Sequence, residues 1–298
     1  MFREQIVVTG TMGWMANFPE SHILQEKPWQ LKQCEREQCR GEAEHLFSFV
    51  LPLLAVVSAN AAHINDLRVY KGEIDSYNEF PFAVLMQMAQ KPFLRMCSAS
   101  LLAENWVLTA AHCVFPPKEP FIIKYANYTT KSGSHSKPLK IHIHPGYKHG
   151  TSVNINDIAL IFVEKIPDRK YGKLLALDYK TLYGLSVKYA GFGRTGEHIE
   201  VQSLEHIIKD QRMPLQVGEG VIIPCDKQIG YGPAVCIAPK CSRRTQSIRA
   251  GDSGGPLVYD RRIVGVANSG ALYHVLAWYT PVSPYLEWIQ KVIQLNGN

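Results

Sequence analysis

No two of the seven cysteines (Cys34, Cys39, Cys97, Cys113, Cys225, Cys236 and Cys241) stand in a CxxC pair, which excludes the paired-cysteine frame of a structural zinc site. Their odd number leaves at least one unpaired or bonded to another chain. The sequence has no internal repeat and no low-complexity tract, so solenoid and fibrous architectures are excluded. Charge is sparse: 19% of residues are Asp, Glu, Lys or Arg against 46% hydrophobic. That balance excludes a disordered chain and describes a globular one with a sizeable core. The net charge of +6 is not concentrated in any run. Residues 1–68 hold six Lys/Arg and eight Asp/Glu, which leaves 26 and 18 for residues 69–298 and a balance of +8 there. The five lysines between Glu119 and Asp157 are scattered, the pattern of a solvated face and not of a nucleic-acid-binding patch.

What is present begins with one apolar stretch, LFSFVLPLLAVVSANAA at 46–62. It is shorter than the ~20 residues of a membrane-spanning helix. It contains Pro52 and ends in small residues, with Ala59-Asn60-Ala61 as an A-x-A cleavage signature, so 46–61 reads as the hydrophobic region of a signal peptide. A signal anchor over 46–62 is the alternative, and a buried core segment a third reading. Residues 1–45 carry no legible motif and read as an extension of unknown role, one that a misassembled coding sequence would also produce. The linker 62–68 ends in Arg68. Beyond it come short segments rich in Val, Ile, Tyr and Phe between turn residues: 82–88, 105–110, 121–126, 140–144, 158–163, 187–192, 256–259 and 263–268. Many short strands without intervening helices predict an all-β barrel or sandwich. One helix is expected at the end, SPYLEWIQKVIQL, with Ser283 as N-cap, Pro284 at the first helical position and Leu286, Ile289 and Ile293 at helical spacing.

The segment SIRAGDSGGPL at 247–257 crowds Asp252 and Ser253 among three glycines and a proline. Alone it is equally a tight turn. A serine hydroxyl becomes a nucleophile only when a base takes its proton and a carboxylate holds that base in the right tautomer. LTAAHCV places His112 after a strand, and NINDIALIFV places Asp157 before one. Each singly has an ordinary structural reading, as a core histidine and a strand cap. Together the chain order is His, Asp, Ser, which differs from the subtilisin and α/β-hydrolase orders.

With VYKG, FPF, TAAHC, NDIAL, GDSGGPL and the final helix in this order, residues 69–298 resemble a chymotrypsin-like serine endopeptidase of the trypsin family. The resemblance implies an all-β fold of two six-stranded antiparallel β-barrels with a C-terminal helix and the site between them. It implies His112, Asp157 and Ser253 as catalytic residues, with the backbone N–H groups of Gly251 and Ser253 as the oxyanion hole. It implies activation by cleavage at Arg68, after which the amine of Val69 would pair with Asp252, making 62–68 a short propeptide. Cys97 and Cys113 should be bridged beside His112, and Cys225 to Cys236, with Cys225–Cys241 as the alternative. The primary pocket would have Ser247 at its base and Gly270 and Ala277 on its walls. Protein or peptide substrates, a separate trypsin-like activating protease, a monomeric state, an extracellular location and no cofactor complete the expectation. The competing reading is a catalytically silent homologue that binds or regulates.

The chain departs from the family in several places. Arg249 stands where most relatives have a cysteine, and no cysteine follows Ser253. Asn268-Ser269-Gly270 replaces the usual Ser-Trp-Gly. No Asp or Glu occurs between Glu119 and Asp157, against a calcium loop there, and none between Asp226 and Asp252. The second absence disfavours selection of Lys or Arg and favours large apolar side chains; Arg249, Arg243 or Arg244 would instead suit acidic ones. His142 and His144 alternate on a strand but have no third ligand. Asn127-Tyr128-Thr129 is an N-glycosylation acceptor triplet.

Overall fold

The computed structural model describes residues 69, 72–90, 95–116, 120–126, 128, 133–150, 154–167, 169–193, 214–225, 232–240, 246–270 and 276–296. The extension, the apolar run, the linker with Arg68, Asn127, Arg243, Arg244 and Cys241 lie outside the described residues.

The first antiparallel sheet uses β2 (Ala83–Met88), β3 (Arg95–Ala103), β4 (Trp106–Thr109), β5 (Phe121–Lys124), β6 (His135–Ser136), β7 (Pro138–Ile143) and β8 (Ala159–Val163), in the order β6-β5-β2-β3-β4-β8-β7. Only Lys137 separates β6 from β7, and Pro138 opens the latter. A proline donates no ladder hydrogen bond and sits at strand starts. The two pieces act as one bent strand, β6 pairing with β5 and β7 with β8, so the sheet curls into a nearly closed barrel.

The second sheet is closed. Its six principal strands are β10 (Ser186–Gly191), β11 (Gln216–Ile223), β12 (Val235–Pro239), β13 (Pro256–Tyr259), β14 (Arg262–Gly270) and β15 (Ala277–Pro281). They run β11-β10-β13-β14-β15-β12, and β12 pairs back onto β11. Two-residue strands β1 (Glu73–Ile74) and β9 (Lys173–Leu174) attach to β11 and β14. The β13–β14 hairpin turns through Asp260 and Arg261, both at positive φ, the backbone of a type I′ turn.

Strand β11 alternates buried and half-buried residues along its length, the period of a barrel wall. Two of its inward positions are glycines for a spatial reason. A Cβ on Gly218 would lie 2.5 Å from the Tyr189 ring, and one on Gly220 2.3 Å from Ile237. Strands β3, β11, β12 and β15 are absent from the sequence reading. Their segments (RMCSASLLA, QVGEGVII, VCIAP, AWYTP) carry small or mixed residues whose strand state comes from their neighbours in the barrel.

The closing helix α1 (Leu286–Asn296) follows a 3₁₀ turn, Ser283–Tyr285. The expected cap is corrected. The 3₁₀ turn begins after Val282, and Ser283 Oγ accepts a hydrogen bond from Tyr179 N–H at 3.1 Å. A tertiary donor has taken the oxygen that local capping would have used. Val282, Tyr285 and Ile289 are buried in the same cluster as the first barrel's core, with Trp288, Val292 and Ile293 packed against it.

Candidate active site

His112 lies in a 3₁₀ turn, Ala111–Cys113, just past the end of β4. Its backbone N–H donates to Asp157 Oδ1 at 2.8 Å, and its Nδ1 lies 2.6 Å from Asp157 Oδ2. Asp157 is fully buried while the His112 side chain is 20% exposed, so the ring can meet a substrate and the carboxylate cannot. Asn156, next to the aspartate, is at positive φ and accepts from Tyr285 O–H at 2.8 Å while donating to Gly146 O at 2.7 Å. Tyr285, near the closing helix, therefore braces the residue next to Asp157.

Ser253 lies on the loop between Ser247 and β13. Its carbonyl accepts from Ser98 N–H of β3 at 2.8 Å. Ser98 Oγ donates to Gly251 O and accepts from Phe192 N–H, both at 2.9 Å. Gly254 packs against the strand that leads to His112: a Cβ there would be 2.1 Å from Thr109 Oγ1 and 2.3 Å from Ser98 O, and its φ is +80°. No other residue fits that approach. Thr109 lies three residues before His112. The structure thus brings His112 and Asp157 into hydrogen-bonding contact and seats the loop of Ser253 against the strand that carries His112. Ser98 escaped the sequence reading; its adjacency to Cys97, which bridges to Cys113, was the available signal.

Asp252 is 1% exposed. Oδ1 accepts from Gly193 N–H at 2.7 Å and Oδ2 from Arg249 N–H at 2.8 Å. Burial pushes its carboxyl up to about 7, against the opposing pull of those two N–H groups and of the Arg95 and Arg249 charges. Val69 is fully buried in the second barrel's core with Tyr189 and Tyr279, and both tyrosines sense the Asp252 charge. Gly193 is a further residue that the sequence reading missed. A Cβ on it would sit 2.5 Å from Asp252.

Of the residues expected in the primary pocket, Gly270 and Ala277 are cross-strand neighbours on β14 and β15. Ala277 faces Ile237 of β12, and Gly270 rests against Ile248 O. Ser247, beside Ile248, is 7% exposed, and its Oγ is without a hydrogen-bond partner. Among the described residues two disulfides are formed, Cys97–Cys113 and Cys225–Cys236. Cys97, His112 and Cys113 form a three-ligand grouping among the described residues, but both sulfurs are in the bridge. His142 packs on Trp106, and His144 on Tyr285 and Trp288; burial lowers both below the usual imidazole range.

Two curated relatives come from Anopheles gambiae. Serine protease SP24D is 25% identical over 242 residues, which are 76% of this chain and 82% of that protein. CLIP domain-containing serine protease B10 is 28% identical over 264 residues, 76% of this chain and 70% of that one. Among solved structures, neuropsin, a serine protease expressed in the limbic system of mouse brain, superposes with a TM-score of 0.60 at 20% identity over 74% of this chain and 98% of its own. The Trypsin family model matches residues 69–289, and the chain belongs to the trypsin family of serine endopeptidases.

Proposed function

We propose that this protein is a secreted proenzyme that, once cut after Arg68, hydrolyses peptide bonds through His112, Asp157 and Ser253. The observation that carries the reading is the His112–Asp157 pair, closed by two hydrogen bonds onto a fully buried carboxylate. In this mechanism Ser253 Oγ attacks the scissile carbonyl as His112 Nε2 takes its proton. Asp157 keeps Nδ1 protonated and stabilises the imidazolium. The backbone N–H groups of Gly251 and Ser253 receive the oxyanion, each donor worth a few kcal/mol in the transition state. His112 then protonates the leaving amine, and water repeats the sequence on the acyl-enzyme.

Activation uses Asp252. A carboxyl that burial holds near 7 gains most from a cation delivered to it, and the freed α-ammonium of Val69 is that cation. The pocket selects large apolar side chains. An arginine entering beside Ser247 would be desolvated without a counter-charge, at a cost of several kcal/mol. A Phe or Leu would gain burial worth roughly 1.5–3 kcal/mol. The enzyme therefore does not cut its own Arg68–Val69 bond and depends on a trypsin-like activator. Resemblance to a CLIP-domain protease fits a place in such a cascade.

The test is to incubate the purified proenzyme alone, then with catalytic trypsin, then with a fluorophosphonate. We expect no change alone, a Val69 N-terminus after trypsin, label on wild type and none on Ser253→Ala, and turnover of Phe, Tyr or Leu substrates. A cleaved, folded chain that takes no label would be a silent homologue. Spontaneous cleavage at Arg68 with arginyl-substrate hydrolysis would overturn the pocket reading.

A further inference from the structure

Asp157 Oδ2 accepts from two donors. One is His112 Nδ1, at 2.6 Å; the other is Asn154 Nδ2, at 3.4 Å, three residues earlier in the chain. Asn154 is itself held from the other barrel. Its N–H donates to Asn268 Oδ1 at 3.3 Å, and its carbonyl accepts from Asn268 Nδ2 at 2.8 Å. One side-chain amide thus satisfies both backbone polar groups of one residue, as a strand partner would. Asn268 is 5% exposed, and its Nδ2 also reaches Thr280 Oγ1 at 3.3 Å. The strand explains the aim. Register between β14 and β15 slips at Asn268, which has no Cα partner between the Ala267–Tyr279 and Ser269–Trp278 pairs. An irregularity of this kind redirects a side chain out of the ladder.

We infer that Asn154 and Asn268 are positioning residues: the β14 irregularity presents the Asn268 amide to Asn154, and Asn154 fills the remaining acceptor site of Asp157 Oδ2. The inference rests on the endopeptidase reading above for its kinetic consequence. His112 already bonds both carboxylate oxygens, Oδ1 through its N–H and Oδ2 through Nδ1. The second donor on Oδ2 satisfies a further lone pair in this buried site and narrows the orientation of the carboxylate toward the ring. The chain's departure to Asn268-Ser269-Gly270 has its reason here. A serine hydroxyl at 268 would carry its donor and acceptor on one oxygen of shorter reach, whereas the amide puts them on two atoms that meet the N–H and the carbonyl of Asn154 separately. The relay also crosses between the barrels, so the geometry of the acid–base pair is tied to the strand that borders the primary pocket.

The test uses the trypsin-cleaved protein with Asn154→Leu, which is close in size and has no donor, Asn268→Ala, and the double variant. Asn154→Leu is expected to lower kcat roughly tenfold, the loss of one hydrogen bond to a charged group, with KM changed less than about threefold. It should also shift the far-downfield proton resonance of His112 Nδ1–H. Asn268→Ala should act in the same direction, and the double variant should be no worse than the more affected single one, because a relay is not additive. Wild-type kcat with an unmoved resonance in Asn154→Leu overturns the relay, as does full additivity in the double variant. If Asn268→Ala does not fold, Asn154→Leu decides alone. If the cleaved wild type turns nothing over, the endopeptidase reading falls, while the resonance still decides whether Asn154 bonds to Asp157.

Discussion

The two barrels solve different problems with the same topology. The first is filled by apolar side chains: Leu85, Met86, Leu101, Trp106, Leu108, Ile123 and Leu160 are all buried. The second encloses Tyr189 and Tyr279 beside Val69 and is packed around the buried Asp252. Apolar packing is non-directional and tolerates no alternative that exposes it. Buried polar groups are stable only when every partner is in place. The first barrel also buries one carboxylate, Asp157, and it meets this condition with donors from His112 and Asn154. The second is built around a carboxyl, Asp252, that takes its hydrogen bonds from the backbone N–H groups of Gly193 and Arg249.

The largest test of this contrast is kinetic. Asp157→Asn in the cleaved protein should lower kcat on the order of 10⁴-fold with little change in stability, because the carboxylate acts on the tautomer of His112 and not on folding. Near-normal turnover would remove Asp157 from the mechanism. Second in size is Trp106→Ala. The residue is 2% exposed and its ring lies tilted against Phe162, centroids 5.1 Å apart, so its loss should destabilise the chain by about 3–5 kcal/mol. A denaturant midpoint that barely moves would show that the first barrel's apolar core does not depend on this ring.

The third concerns pH. In the uncut chain the Asp252 carboxyl is raised from 3.8 to about 7. Below pH 4 it is neutral in both folded and unfolded states and carries no penalty. Between pH 4 and 7 the folded state retains a proton that the unfolded state has lost, so this group's contribution falls as pH rises, by a few kcal/mol in all. Asp252→Asn is neutral throughout. Denaturation of proenzyme and variant at pH 5 and 7.5 should therefore show a steeper loss in the wild type, and equal slopes would clear Asp252 of the effect. The smallest is Tyr279→Phe. Its hydroxyl is buried without a hydrogen-bond partner, so removing it should change stability by less than about 1 kcal/mol, in the stabilising direction. A loss above 2 kcal/mol would mean the hydroxyl is partnered in solution.

Motifs were legible in the sequence where residues act within one loop. TAAHC, NDIAL and GDSGGPL each place a candidate functional side chain by local chemistry, and their order along the chain identified the family. Strands were legible where β-branched residues cluster, as in β8 and β14, and illegible in RMCSASLLA, where serine and alanine hold the ladder because Gly254 and the Ser253 carbonyl need room beside it. The supporting network was illegible for another reason. Ser98 meets Phe192 across 94 positions, Gly193 meets Asp252 across 59, and Asn268 meets Asn154 across 114. Polar residues of this kind are chosen by the partner they find, and nothing in their own neighbourhood announces it.

By itself, then, the sequence determined the all-β class and the family and nominated the candidate reacting groups, because these follow from residue types and their order. Only the tertiary structure decided that Ser283 serves Tyr179 and not its own helix, that a C-terminal tyrosine braces Asn156, and that an amide from one barrel holds the loop of Asp157 in the other. Hydrogen bonds are short-ranged and directional, so partners far apart in the chain become definite only when the packed core has set their positions.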